Sequence, residues 1–250
     1  MPASAAHARD PQVWVTRTEP GASHTAAVLR AAGFTVLVEP VLEIEVPDLP
    51  ACENVATGER MTCAALPTPD LVIALSAHAV VPYAMAACFS PAIPHVGIGA
   101  ETARKLRDQR VQQVITPTIA SSEGVLDMAE VIALKRGVVW LLAGEGGREL
   151  LPAVLTSRGL AVFKLSCYRR RPRRVDPQQL GGVHIVAVAS LEGLREVERL
   201  RPADSAALVV ASERIEEAAR GAGYRAIERA QDASPAATLA AVQRLAKLLA

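Results

Sequence analysis

Aromatic side chains are scarce, with two tryptophans, three tyrosines and three phenylalanines in 250 residues. That leaves out the stacking platforms on which single-strand nucleic-acid binders lay their bases. An excess of charge of one sign is also missing, since 27 Lys and Arg nearly balance 26 Asp and Glu. No global field draws the chain to nucleic acid or to a membrane surface, so any attraction for anions has to be local. The four cysteines, Cys52, Cys63, Cys88 and Cys167, lie far apart and include no C-x-x-C pair. Neither a zinc site nor a disulfide framework is indicated, and reduced thiols in a cytoplasm fit the pattern. No apolar run reaches membrane-spanning length, and Met1 to Gln12, polar and Ala-rich, has no signal-peptide core and reads as a frayed lead-in. The five histidines form no spaced set.

What is present is ample apolar material, 50% of the chain, enough for one large or two modest domains. Val138 to Leu142 is a five-residue apolar run between Gly137 and Gly144, the pattern of a buried central strand. A turn over Gly144 to Gly147 follows. Leu150, Leu151, Val154 and Leu155 then recur at helical spacing up to Arg158 and Gly159, a basic last turn and a glycine stop. Glu145 and Glu149 make this turn a poor phosphate loop, and the Lys-Ser/Thr of a P-loop is absent. Its backbone N–H groups remain available to an anion.

The same strand, turn and helix unit recurs along the chain. Val13 to Thr16, Ala26 to Ala32 and Phe34 to Val38 make a β-α-β unit. VLEIEV, residues 41–46, alternates as a half-exposed strand does, and residues 47–69, bracketed by four prolines, read at best as a short helix. Strands are expected at Leu71 to Leu75, Val96 to Gly99, Val111 to Thr116, Val138 to Leu142 and Leu160 to Leu165. Ser121 or Ser122 is the expected N-cap of the helix through Ile132. Arg169 to Arg174, interrupted by Pro172, read as an extended connector, either solvated or a basic wall for an anion. Three more strands follow, at Val183 to Ala189, Ala206 to Ala211 and Tyr224 to Ala230, with helices over Leu191–Leu200, Ser212–Gly221 and Pro235–Leu249.

Counting strands predicts an α/β protein of two doubly wound parallel-sheet domains, about five strands each. A discontinuous domain, residues 1–40 with 173–250, encloses an inserted one, residues 47–165. Residues 41–46 and 166–172 serve as a two-stranded linker. A weak internal repeat, VTRTEPGASHTAAVLRAAGF, VGIGAETARKLRDQRV and VVASERIEEAARGAGY, supports the duplication. Each turn lies at the carboxyl end of a strand, where open α/β sheets bind ligands, and two facing domains would line one cleft.

VTRTEPGASHTAAVLRAAGFTVLVEPVLEIEV, VGIGAETARKLR, SSEGVL, GEGGRELLPAVLTSRG and the Tyr168-Arg169-Arg170 crossover, in this order, resemble the uroporphyrinogen-III synthase family over most of residues 13–249. The resemblance implies two α/β domains on a two-stranded linker. It implies a lyase that closes hydroxymethylbilane, a linear tetrapyrrole with eight carboxylates, with inversion of the last ring and loss of water, using no metal or cofactor. It further implies a cytoplasmic monomer, with transient contact with hydroxymethylbilane synthase as the one macromolecular partner. A non-enzymatic two-domain cleft protein that binds a small polyanion is the alternative.

Carried over residue by residue, Tyr168 matches the crossover tyrosine. Phenols are protonated at neutral pH and can donate to a leaving hydroxyl; a hinge tyrosine packed between domains is the other reading. Thr102 matches a threonine facing the cleft, or is an ordinary first-turn residue. Arg17, at the end of the first strand, matches an arginine suited to a carboxylate. Ser76, Ser122 and Ser190 are caps or ligand contacts. Arg148 and Arg169 bind substrate carboxylates or pair with Glu145 or Glu149. Arg214 stands where some members have threonine, and Glu192, after Ser190, is the wrong sign for a polyanion. His78 stands where the family commonly has Asn and reads as a turn residue rather than a base.

Overall fold

The computed structural model describes residues 11–48, 50–146, 149–201 and 203–249. The lead-in over residues 1–10 and the Arg148 assignment lie outside the described residues. In chain order the elements are Gln12–Val15 (β1), Gly21–Ala31 (α1), Val36–Val38 (β2), Leu42–Glu45 (β3), Ala51–Asn54 (β4), Arg60–Met61 (β5), Leu71–Ala74 (β6), Ala77–Met85 (α2), His95–Gly97 (β7), Ala100–Asp108 (α3) and Val114–Ile115 (β8). They continue as Ser122–Leu126 (α4), Ala129–Ala133 (α5), Val138–Gly144 (β9), Leu150–Ser157 (α6), Ala161–Pro172 (β10), Val183–Val188 (β11), Leu191–Leu200 (α7), Ala207–Val210 (β12), Glu213–Gly221 (α8), Ile227–Arg229 (β13) and Pro235–Leu249 (α9).

The chain divides into two compact units, residues 1–43 with 171–250, and residues 44–170. In the first, β13-β12-β11-β1-β2 form a five-stranded sheet, parallel throughout. Its strands are buried on both faces because helices cover both, so they read as continuous Val/Ile/Leu runs rather than alternating ones. Trp14, Val186, Val188, Leu208 and Val210 pack on one face. Val13, Val15, Ile185 and Val209 pack on the other, against Leu29 of α1 and Val242 and Leu245 of α9. The order reverses between β1 and β11, the first and third strands of the sheet in chain order.

The second unit carries the sheet β5-β4-β10-β9-β6-β7-β8, with β3 beside β10. Its parallel part, from β10 to β8, has the order reversal between β6 and β9. Here the short-helix expectation for residues 47–69 is corrected. Ala51–Asn54 and Arg60–Met61 form an antiparallel hairpin on the edge of β10, and among the described residues of the segment only Cys63–Ala65 makes a helical turn, of 3-10 type. The reason lies outside the segment: β10 has an open edge, and Ala51 to Asn54 satisfy it through Ser166 to Phe163.

A second difference concerns β10 itself. The expected strand and the connector after it are one continuous strand from Ala161 to Pro172, which runs past the unit boundary. Arg171, Arg173 and Arg174 are exposed, whereas Tyr168 is 2% exposed. The helix ends read from periodicity hold for α7 and α9 to the residue.

Candidate active site

Open parallel sheets bind ligands beyond the carboxyl ends of their strands, at the point where the strand order reverses. Each unit has one such point, and each gathers its own share of the residues singled out from the sequence.

In the second unit the switch point lies between β6 and β9, where Ala74 pairs with Leu142. Beside it β10 departs from regular pairing. Ser166 is opposite Ala143 and Tyr168 is opposite Gly144, so Cys167 is an extra residue, a β-bulge. Along β10, Phe163 and Leu165 face one core and Val162 the other. Strict alternation would send Tyr168 to the Val162 side. The bulge returns it to the face of Phe163, Leu165 and Cys167, where it packs over the end of β9.

Three neighbours hold the phenol there. A Cβ on Gly144 would lie 2.7 Å from Tyr168 Cζ and 3.1 Å from its Oη, so only glycine leaves room for the ring. The His78 ring stands 5.4 Å away, centroid to centroid. Arg170 Nη2 donates to Tyr168 Oη at 3.0 Å, and its guanidinium carbon is 5.3 Å from the ring centroid. His78 therefore packs against the tyrosine from the first turn of α2.

The remaining residues of this unit lie at the same end of the sheet. Ser76 follows β6 and caps α2, accepting from His78 N at 3.2 Å. Ser121, not Ser122, caps α4, accepting from Gly124 N at 3.0 Å; Ser122 is the first helical residue and is buried. Thr102 is buried in the first turn of α3. The α3 N-cap is Gly99, which has no side chain to cap the helix, and Glu101 lies in the same first turn. Arg169 points away from Tyr168. It is paired through Nε with Glu45 Oε2 at 2.8 Å and through Nη2 with Glu45 Oε1, so its ion pair is with neither Glu145 nor Glu149. Glu149 is met instead by Lys164 at 3.4 Å.

In the first unit the switch point lies between β1 and β11, paired from Val13–Ile185 to Val15–Ala187. Arg17 leaves the end of β1, and its guanidinium lies across the first turn of α1. A Cβ on Gly21 would come within 2.5 Å of Arg17 Nε. Arg17 Nη1 donates to Ala233 O at 2.7 Å, and no carboxylate pairs with it among the described residues. Burial pushes the guanidinium below its ordinary value, because a cation removed from water is disfavoured until an anion meets it. The start of α1 is already served by its own acid, since Ser23 N donates to Glu19 Oε2 at 3.0 Å. Ser190 caps α7 through Gly193 N at 3.0 Å. Arg214 is exposed in the first turn of α8.

Ser212, which the sequence offers only as the start of a helix, occupies the N-cap of α8 without making the capping bond. Its hydroxyl and the first N–H groups of α8 stay open at the carboxyl end of β12. The serine is visible in the sequence; its failure to cap is not, because capping depends on the χ1 rotamer.

Two cavities are unsuited to a large polyanion. One beside Arg17 measures about 10 Å³, room for no more than a single water. A groove of about 460 Å³ along residues 114–119 and 127–130 has Asp127 and Glu130 as its charged lining, the wrong sign for carboxylates. Among the described residues no three His, Cys, Asp or Glu side chains are placed to hold a metal. The cysteines, scattered in sequence, do converge: Cys52 Sγ lies 3.6 Å from Cys63 Sγ. All four thiols are free, and burial pushes those of Cys88 and Cys167 up to about 12, so both stay protonated at neutral pH.

A family model described as uroporphyrinogen-III synthase HemD matches residues 23–240. Among curated relatives, the uroporphyrinogen-III synthase of Escherichia coli strain K12 is 31% identical over 234 residues, covering 85% of this chain and 92% of that protein. The enzyme of the same name from Salmonella typhimurium strain LT2 is 32% identical over 238 residues, with the same coverage, 85% and 92%. Of solved structures, uroporphyrinogen-III synthetase from Helicobacter pylori 26695 superposes with a TM-score of 0.65 at 14% identity, covering 94% of this chain and 99% of that one. A mutant uroporphyrinogen III synthase from Thermus thermophilus gives 0.56 at 17% identity, covering 95% and 99%. At those identities the superpositions speak for the fold alone.

Proposed function

The chain belongs to the uroporphyrinogen-III synthase family, and from that premise we propose how its residues divide the work of the reaction. The protein is a cyclising lyase. It takes hydroxymethylbilane, expels the terminal hydroxyl as water and closes the ring with the last pyrrole inverted. Family membership weighs against the alternative of an inactive polyanion-binding scaffold.

The observation that carries the reading is the Tyr168 phenol, fixed at the end of β9 by Gly144, His78 and Arg170. Departure of the hydroxyl needs a proton or a strong hydrogen bond on the leaving oxygen, and a positioned acid contributes about 10²–10⁴-fold to such a step. Tyr168 supplies that donor. The azafulvenium cation left behind requires no strong base. It requires the chain to be held in the one conformer that closes with inversion, and such orientation is worth up to about 7–11 kcal/mol in favourable intramolecular cases.

Orientation comes from the substrate's carboxylates. Arg17, a half-buried cation whose partner among the described residues is the Ala233 carbonyl, accepts one carboxylate in the first unit. The N–H groups at the starts of α3 and α8, with Thr102, Ser212 and Arg214, accept others. Ser76 and Ser190 already receive a backbone N–H, yet each keeps its own O–H to donate. Ser122 and Arg148 are assigned to the same task on the family motifs. Arg169 is committed to Glu45 and reaches substrate only if that pair opens. No cofactor enters this scheme. No helix is long and apolar enough to cross a membrane; we place the protein in the cytoplasm as a monomer, receiving its unstable substrate by transient contact with hydroxymethylbilane synthase.

The test is a coupled assay. Porphobilinogen and hydroxymethylbilane synthase generate the bilane, this protein is added, and the oxidised uroporphyrin isomers are resolved chromatographically. Type III product scaling with added protein is expected, and type I alone from folded protein overturns the reading.

A further inference from the structure

We infer that Arg170 is a positioning residue for Tyr168: it occupies an acceptor lone pair of the phenol oxygen, so that the one O–H proton is directed to the substrate. The inference rests on the reading of Tyr168 as proton donor.

A guanidinium donates hydrogen bonds and cannot accept them. In the contact from Arg170 Nη2 to Tyr168 Oη, at 3.0 Å, the phenol is therefore the acceptor, and its own proton is left for another partner. Left alone, a phenol rotates its O–H between both in-plane directions. With Arg170 on one side, the O–H turns to the other. Donation into the oxygen also polarises the O–H, since hydrogen bonds in a chain strengthen one another. The guanidinium carbon, 5.3 Å from the ring centroid, adds a cation–π attraction that holds the two side chains as one body.

The strand makes this pairing specific. Beyond the bulge at Cys167, alternation puts Tyr168 and Arg170 on one side of β10 and Arg169 on the other. Arg169 accordingly meets Glu45, and Arg170 meets the phenol. Two adjacent arginines of identical chemistry thus face different partners: Arg169 meets the Glu45 carboxylate, and Arg170 reaches the phenol oxygen.

A double-mutant cycle tests this. Tyr168→Phe, Arg170→Met, Arg170→Lys and the Tyr168→Phe/Arg170→Met double variant are assayed for type III formation, with near-ultraviolet circular dichroism confirming that each is folded. Arg170→Gln replaces Arg170→Met should the latter not fold. Arg170→Met is expected to lower kcat about tenfold with KM within about twofold of wild type. Arg170→Lys recovers most of the loss. In the Tyr168→Phe background Arg170→Met has no further effect on kcat. An equal loss in that background, or a raised KM at unchanged kcat, overturns the inference and makes Arg170 a direct substrate contact. Wild-type turnover in Tyr168→Phe alone overturns the reading beneath it, a result separable from the others.

Discussion

The two switch points are built alike and equipped differently. Between β1 and β11 the first unit holds a cation, Arg17, half-buried and, among the described residues, answered by the Ala233 carbonyl. Between β6 and β9 the second unit holds a neutral donor, Tyr168, enclosed by a glycine, an imidazole and a guanidinium. A charged group of this kind gains most from a carboxylate that is present in substrate and product alike, which is binding. A donor aimed at a leaving oxygen gains most when that oxygen takes up negative charge, which is catalysis. On the proposed reading, the side chain that each switch point carries divides binding from chemistry.

If that division holds, the largest effect comes from the phenol. Tyr168→Phe is expected to lower kcat by about 10²-fold or more. The melting temperature changes by only a few degrees, since a lost hydrogen bond of this sort costs about 0.5–1.5 kcal/mol. Steady-state assay beside a thermal melt separates the two.

Gly144→Ala is next. The added methyl takes the space of Tyr168 Cζ, 2.7 Å away, and displaces the ring. A fall in kcat of about tenfold or more, with the phenol chemically intact, is expected because catalysis is sensitive to displacements of this size. Unchanged kcat would mean that the ring's present position is not the working one.

In the first unit, Arg17→Ala is expected to raise KM by about tenfold and leave kcat within a factor of about two, the signature of uniform binding. An unchanged KM places Arg17 outside the substrate site; a lowered kcat would break the division between the units.

The smallest effect is on stability, and it too distinguishes the units. His95 is fully buried in the second, its Nδ1 donating to Ile93 O at 2.7 Å and its Nε2 unpartnered among the described residues. Burial holds its pKa below the ordinary 6.5. The unfolded chain therefore binds a proton that the folded one refuses, and stability present above about pH 6.5 is lost as pH falls below it. Melts between about pH 7.5 and 5.5 should show the decline, and His95→Leu should flatten it. His24 and His184 of the first unit are both exposed.

How far the chain could be read follows from the range of the forces involved. The helices over Leu191–Leu200 and Pro235–Leu249 were legible to the residue, because caps, prolines and apolar spacing act within a few positions. Residues 51–61 were not, because their strand character comes from an edge of β10 more than a hundred residues away. Tyr168 was legible as a candidate by its family match, while Gly144 passed as an ordinary turn glycine and His78 as a turn residue; both enclose the phenol. Of the serines offered as caps or contacts, Ser76 and Ser190 make the capping bond, whereas Ser121 takes that place in front of Ser122.

The sequence by itself determined the alternation of strand and helix, the parallel pairing of the strands that helices connect and the family, all written in local periodicity and motif order. Only the tertiary structure decided which arginine meets the phenol. One unpaired residue, Cys167, shifts the parity of β10, and from there Tyr168 and Arg170 face one way and Arg169 the other. A bulge leaves no mark in composition or spacing, since its cause is the register with β9, a partner set by packing rather than by neighbours in the chain.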